Sequence, residues 1–236
     1  MKSLQSYYGL VGRNAMNVTA QNKLDAFVPQ NEIVALYDKW AGVWDVWSRL
    51  IETRARARAV YLAAVGDGQS YLDAAVGTGL TFREVVRRNP NGENIGIDLS
   101  EGMLALARQR LLPVKGAHYE LQKGSPFALP AHGASIDVLM SCFLFDRIPF
   151  AWMDTLLAEF RRVLKSDGKL IMAHMTEAPY IFAKGYEIIY HLAPKAVGAR
   201  RGVCLSERLV QNGFQVERRE YVQQLLFPME IIRAYL

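Results

Sequence analysis

One acid, two glycines and a second acid are spaced in this sequence so that they could hold a ligand together. In "YLDAAVGTGL" the apolar residues leading to Asp73 read as a buried strand, and Gly77-Thr78-Gly79 follows it. Neither glycine has a Cβ, so the chain can turn sharply there and come close to a ligand. Asp98 ends the next strand, "NIGIDL". A carboxylate at that place has two acceptor oxygens for the paired hydroxyls of a ribose.

Two classes of ligand fit an acid, a glycine turn and a ribose acceptor. A nicotinamide dinucleotide wants a third glycine, which lets helix and strand pack closely. Phe82 occupies that position here. Asp73 would also repel a pyrophosphate. The same carboxylate suits an ammonium and a sulfonium, so the electrostatics point to S-adenosylmethionine, with S-adenosylhomocysteine as product. A nicotinamide-dependent oxidoreductase and a non-catalytic module that keeps the pocket as scaffold stay open as alternatives.

These residues need a frame. From Asn31 a helix is expected, with Tyr37, Trp40, Trp44, Trp47 and Ile51 recurring on one face. "RARARAVYLAAV" continues as a second helix. Strands at "SYLDAAV", "NIGIDL", "AHYELQKG", "IDVLMSCFLF" and "KLIMAHM" then alternate with helices at "LTFREVVRR", "SEGMLALARQRLL" and "AWMDTLLAEFRRVL". Ser100 is the expected N-cap of its helix, and "KSDG" a turn. "LSERLVQNGF" is a helix closed by Gly213, and "QVERREYV" with "MEIIRAYL" a closing strand pair. The fold class is α/β: a Rossmann-like, doubly wound, mostly parallel seven-stranded sheet with helices on both faces and an antiparallel closing strand. Residues 1–30 read as a flexible arm. Residues 31–236 form one domain, with a helical cover over 31–65 and a lid insert over 176–203.

At this point the chain resembles the class I S-adenosylmethionine-dependent methyltransferases. "LDAAVGTG" is similar to their first motif, which implies cofactor contacts from Asp73, Ala75, Gly77, Thr78 and Gly79. "GIDLSEGMLALAR" is similar to the second-strand motif and implies Asp98, Leu99 and Met103. "KGSPFALP" matches the adenine segment (Gly124, Ser125, Pro126), and "IDVLMSCFLFDRIP" the fourth strand, which brings Ser141. Two positions depart from the pattern: Ala75 replaces the usual first glycine, and Ser125 replaces an acid that often bonds the adenine. "LYDKWAGVWDVWSRL" is similar to the amino-terminal helix of the ubiquinone/menaquinone and bacterial phospholipid methyltransferases, which implies that Tyr37 and Trp44 cover the cofactor. Trp40, Trp47 and Ile51 are read as ordinary core.

The methyl acceptor leaves weaker marks. A general base belongs beyond the fourth or fifth strand, where Asp146 ("FLFDRIP") and His174 ("IMAHM") stand. Phe145, Tyr180, Tyr186 and Tyr190 are the candidate acceptor contacts, the tyrosines lying in the lid insert. That aromatic content favours a small apolar, aromatic or lipid-like acceptor, of quinone-precursor or phospholipid type. The Asn/Asp-Pro-Pro-aromatic signature of base amine methylation is absent after the fourth strand, which disfavours nucleic acid. Cys142 reads as a buried strand residue.

Composition sets outer limits. Hydrophobic residues make up 51% of the 236, ample for a core, and two cysteines are too few for a disulfide framework. No metal-ligand spacing links the four histidines. The net charge of +5 favours anionic partners, and the clusters at Arg54, Arg56, Arg58 and at Lys195, Arg200, Arg201 are read as solvated surface. No apolar run is long enough to span a membrane, so a cytoplasmic protein, able to touch a membrane peripherally, is expected.

Overall fold

A computed structural model describes residues 30–176, 201–225 and 227–236. The expected arm up to residue 29, the lid from 177 to 200 with Tyr180, Tyr186 and Tyr190, and the Trp44 side chain lie outside the described residues.

The element order is α1 (Gln30–Ile51), α2 (Thr53–Ala63), β1 (Tyr71–Asp73), α3 (Leu80–Val86), β2 (Asn94–Asp98), α4 (Glu101–Leu111), β3 (Glu120–Lys123) and β4 (Ile136–Cys142). A 3-10 turn (Phe145–Arg147), α5 (Phe150–Val163), β5 (Leu164–Met175), α6 (Ser206–Gln211), β6 (Gln215–Gln224) and β7 (Phe227–Tyr235) follow. The seven strands form one sheet in the order β3-β2-β1-β4-β5-β7-β6. β1 pairs in parallel with both β2 and β4, while β7 runs antiparallel to β5 and β6. Strand order therefore reverses between β1 and β4, where a crevice opens beyond the strand ends.

The strand sequences are apolar on both faces because both faces are covered. Leu72, Leu139, Leu170, Met172 and Ile232 pack with Leu156, Leu157 and Phe160 of α5 and Leu209 of α6. Their alternating neighbours Tyr71, Val138, Met140, Ile171 and Ile231 pack with Val60, Phe82, Val85 and Leu104 on the opposite side. Phe82 is fully buried, and a Cβ on Gly96 would stand 3.2 Å from its ring. The close helix–strand contact is thus made by a glycine on β2 rather than on the helix.

Ser100 caps α4 as expected, its hydroxyl accepting from Met103 N at 3.1 Å. α6 ends in a Schellman motif, with Phe214 N donating to Leu209 O and Gly213 N to Val210 O. Gly213 takes φ +84° there. Two expectations need correction. The "KSDG" segment is not a free turn but a bulge inside β5, since pairing jumps from Ile136–Leu164 to Val138–Lys169. Trp40 is not core: α1 kinks there (φ −116°, ψ 19°), which leaves the ring 47% exposed.

Candidate functional site

The glycine turn follows from local chemistry. Gly77 and Gly79 have φ of +54° and +78°. These are left-handed values, unfavourable for any residue with a Cβ. Their roles differ. A Cβ on Gly79 would lie 3.0 Å from Ala107 Cβ, so this glycine lets α3 and α4 pack together. A Cβ on Gly77 would meet nothing within 4 Å and would project into open space.

Asp98 joins the turn to the next helix. Its Oδ2 accepts from Gly77 N at 2.8 Å and its Oδ1 from Ser100 N at 2.9 Å. Burial pushes this carboxyl up from the ordinary aspartate value, and those two amides pull it back.

Asp73 lies deeper, 1% exposed at the end of β1. Its Oδ1 accepts from Ala75 N at 3.2 Å and its Oδ2 from the Tyr71 hydroxyl at 3.3 Å. Burial raises it to about 7, opposed by the Ala75 amide, the Arg56 charge and the Tyr71 hydroxyl and reinforced by Asp98. A carboxyl raised in the folded state binds more protons there than in the unfolded chain. Its contribution to stability therefore falls as pH rises from about 4, the ordinary aspartate value, to about 7. Denaturant unfolding at several pH values should show wild-type stability declining relative to Asp73→Asn across that window and level above it. A constant difference would mean that Asp73 titrates normally.

α1 closes the top. Asp38 accepts from Ser100 Oγ at 2.6 Å and Gly102 N at 3.0 Å. Asp45 accepts from Thr78 Oγ1 and from Arg110 Nη2, both at 2.6 Å. Two carboxylates thus tie the helix across the strand ends. Beneath it a cleft is lined by Val34, Tyr37 and Ser48 from α1, Arg56 from α2 and Ala74, Ala75, Gly77 and Thr78 after β1. Asp98, Leu99, Ser100, Met103 and Pro126 form a second wall, and Cys142, Leu144, Arg147 and Ile148 a third.

Of the residues expected at a cofactor, Tyr37, Ala75, Gly77, Thr78, Asp98, Leu99, Met103 and Pro126 share this cleft. Asp73 and Gly79 support it from below. Gly124 N donates to Asp98 O at 3.1 Å, and Ser125 Oγ accepts from Phe127 N at 3.3 Å, so both shape the wall without being among its lining. Ser141 is 1% exposed in β4, on the sheet face opposite Cys142, and does not reach the cleft.

The acceptor residues change more. Phe145 is core, 1% exposed and edge-on to Phe160 at 5.9 Å. Asp146 does stand beyond β4, whereas His174 is the penultimate residue of β5 itself, and they are 0% and 1% exposed and outside the cleft lining. Both Asp146 oxygens lack a hydrogen-bond partner among the described residues. Burial pushes that carboxyl up, against the nearby charges of Arg147, His174 and Arg201. His174 Nε2 lies 3.3 Å from Glu230 Oε2, and Arg219 holds the other Glu230 oxygen.

Sequence reasoning missed three arginines. Arg147 lines the cleft and lies over the Tyr37 ring at 4.6 Å. Arg56 is mostly covered rather than a solvated surface charge: it bonds Glu52 Oε2 and Thr81 Oγ1 and sits 5.1 Å from the centre of the Phe143 ring. The signal was present, because Arg54 and Arg58 share a helix face that Arg56 does not. Arg201 is 1% exposed, and its Nη1 and Nη2 donate to the carbonyls of Asp146 and Ile148. The Cys142 reading holds: it is buried, with its thiol pushed up to about 12 by burial. Among the described residues no cluster suits a metal ion, and no helix is long and apolar enough to cross a membrane.

The residues fit S-adenosylmethionine: open space above Gly77 leaves room for a ligand against the turn, and Asp98 offers acceptors at the end of β2. A doubly wound sheet with that cleft at its switch point is the class of α/β protein that binds ligands beyond its strand ends. A family profile described as a methyltransferase domain matches residues 72–168. A ubiquinone/menaquinone biosynthesis C-methyltransferase from Syntrophotalea carbinolica is 30% identical over 176 residues, 72% of this chain and 73% of its own length. A demethylmenaquinone methyltransferase from Lactobacillus johnsonii is 28% identical over 80% of this chain and 86% of its own. Magnesium protoporphyrin IX methyltransferase from Synechocystis, solved with bound S-adenosylhomocysteine, superimposes with a TM-score of 0.69 at 14% identity. That likeness covers 87% of this chain and 98% of the other and shows the shared fold. The chain belongs to the S-adenosylmethionine-dependent methyltransferase family of these relatives.

Proposed function

We propose that this methyltransferase acts on a small aromatic acceptor of quinone-precursor type, a reading supported by relatives named as ubiquinone/menaquinone biosynthesis and demethylmenaquinone methyltransferases. The observation that carries the reading is the wall after β4. Leu144 and Ile148 face the cleft as apolar surface, with Arg147 as the charge between them in sequence. An apolar ring bearing an ionisable hydroxyl suits that wall. In this reading residues 31–236 are one methyltransferase domain, residues 31–65 its cover and 176–203 its lid, with Tyr180, Tyr186 and Tyr190 toward the acceptor. Contact with a membrane is peripheral, as a lipid-soluble acceptor requires.

When bound, S-adenosylmethionine supplies a methyl group on a sulfonium, a ready electrophile. Asp98 would then accept the ribose hydroxyls, Gly77 leave the space the cofactor needs, and Tyr37 and Trp44 cover it. The protein's main contribution is alignment, which can supply about 7–11 kcal/mol of a barrier. For a hydroquinol acceptor, loss of the hydroxyl proton raises electron density on the ring carbon that would take the methyl as the sulfonium becomes a thioether, and that carbon's own proton would then leave to restore the aromatic ring. Arg147, on the cleft wall, would stabilise that oxyanion. The buried Asp146 and His174 would act as base or, through Arg147 and Arg201, as positioning groups.

An acceptor panel tests this: a demethylmenaquinol, a simple phenol and phosphatidylethanolamine, each assayed for S-adenosylhomocysteine release. The quinol should turn over, and turnover on phosphatidylethanolamine alone would replace the reading with a phospholipid one. On the active acceptor, Asp146→Asn and His174→Gln should each lower turnover about 10² or more if that residue is the base. A smaller loss with unchanged pH profile would assign it to positioning.

A further inference from the structure

A second cavity, of about 480 Å³, lies where the end of α1 and the start of α2 meet α3 and α4. Arg49, Arg56, Arg83, Arg88 and Arg110 line it, with Glu84 as the carboxylate among them. The hydroxyls of Thr53 and Thr81 add polar lining.

Some of this charge is used internally. Arg56 is taken up by Glu52 and Thr81, and Arg110 by Asp45 and the Thr78 carbonyl. The rest is loosely held. Arg49 reaches Asp45 at 3.1 Å with its side chain 60% exposed. Arg83 has only its neighbour Glu84 at 3.5 Å among the described residues, an acid that Arg87 shares at 3.8 Å. Arg88 is exposed and makes no ion pair among the described residues. Positive charge is therefore left over after Asp45, Glu52 and Glu84 are counted. Like-charge contact is visible in Arg110, which burial holds below the usual arginine range and which Arg49 and Arg83 lower further.

Several guanidinium forks lining one cavity suit an oxyanion that offers several acceptors at once, which phosphate does. We propose that this cavity binds a phosphate-bearing anion, with Arg49, Arg83 and Arg88 as its contacts. It is separate from the cofactor cleft but shares a wall with it, since Ser48 and Arg56 line both. The site does not depend on which acceptor is methylated. Its phosphate can belong to a soluble ester or to a phospholipid headgroup.

The test uses the full chain and the double variant Arg83→Gln/Arg88→Gln, whose side chains lie outside the cofactor cleft. Pyrophosphate is titrated by calorimetry at fixed ionic strength, and flotation is measured with phosphatidylglycerol and phosphatidylcholine vesicles. Saturable pyrophosphate binding, weakened at least tenfold in the variant, supports the site with a soluble source. Binding confined to phosphatidylglycerol vesicles and lost in the variant supports it with a headgroup source. S-adenosylhomocysteine affinity should stay within twofold in both proteins, which certifies the fold. No saturable binding of either probe, or equal binding by the variant, overturns the proposal.

Discussion

Gly77→Val should abolish S-adenosylmethionine binding, with affinity falling at least a hundredfold in a protein that still folds. The added Cβ meets no protein atom within 4 Å, so the branched side chain projects into the cleft rather than into the core. The backbone at this glycine is left-handed. Holding a β-branched residue in that conformation should cost about 1–2 kcal/mol of stability. Gly77→Ala separates the two effects, carrying the strain with less bulk. Gly79→Ala is the converse control: its Cβ would press on Ala107 of α4, so it should lower stability while affinity in the folded fraction holds. Calorimetry with thermal melts reads both quantities. Near-normal binding by the folded Gly77→Val protein would move the cofactor away from this turn.

Asp98→Ala should damage stability and binding together. Its carboxylate accepts from the amides of Gly77 and Ser100, and removing it leaves both part-buried donors without that acceptor. At about 1–3 kcal/mol for each fully buried unsatisfied donor, the loss has a ceiling of roughly 2–6 kcal/mol, lowered where water in the cleft reaches the two amides. Asp98→Asn keeps one carbonyl acceptor and should lose about half as much. Ribose recognition needs both oxygens, so affinity should fall at least tenfold even in the better-folded asparagine variant. Chemical denaturation and cofactor titration on the two proteins check this. An asparagine variant that binds as wild type would leave Asp98 a purely structural role.

The order of strands and helices, the position of the glycine turn and the acids at the ends of β1 and β2 were legible in the chain without its fold. These features are local. Apolar runs, helix periodicity, the Ser100 cap and the Gly213 stop each depend on a few neighbouring residues, and the mostly parallel sheet class follows from their alternation, though the strand order does not. The bulge in β5 was not legible, because "KSDG" reads as a turn until Lys165 is seen to pair with Asp137 of β4. Nor was the kink that turns Trp40 outward, since an unbroken period predicts a straight helix.

Tertiary structure alone decided which charges are solvated and which are buried. Arg56 and Arg201 sit in clusters of basic residues and Arg147 beside an acid, yet each reaches partners or rings brought close by other elements. Phe145, Asp146 and His174 stand at the expected strand ends, but the packing of α5 and β7 sets their exposure near zero. The arginine-lined cavity is of the same kind, because its contacts come from four helices separated along the chain. Periodicity tells which face of an element is apolar. It does not tell which polar side chains another element will cover, because that depends on distances fixed only when the sheet closes against its helices.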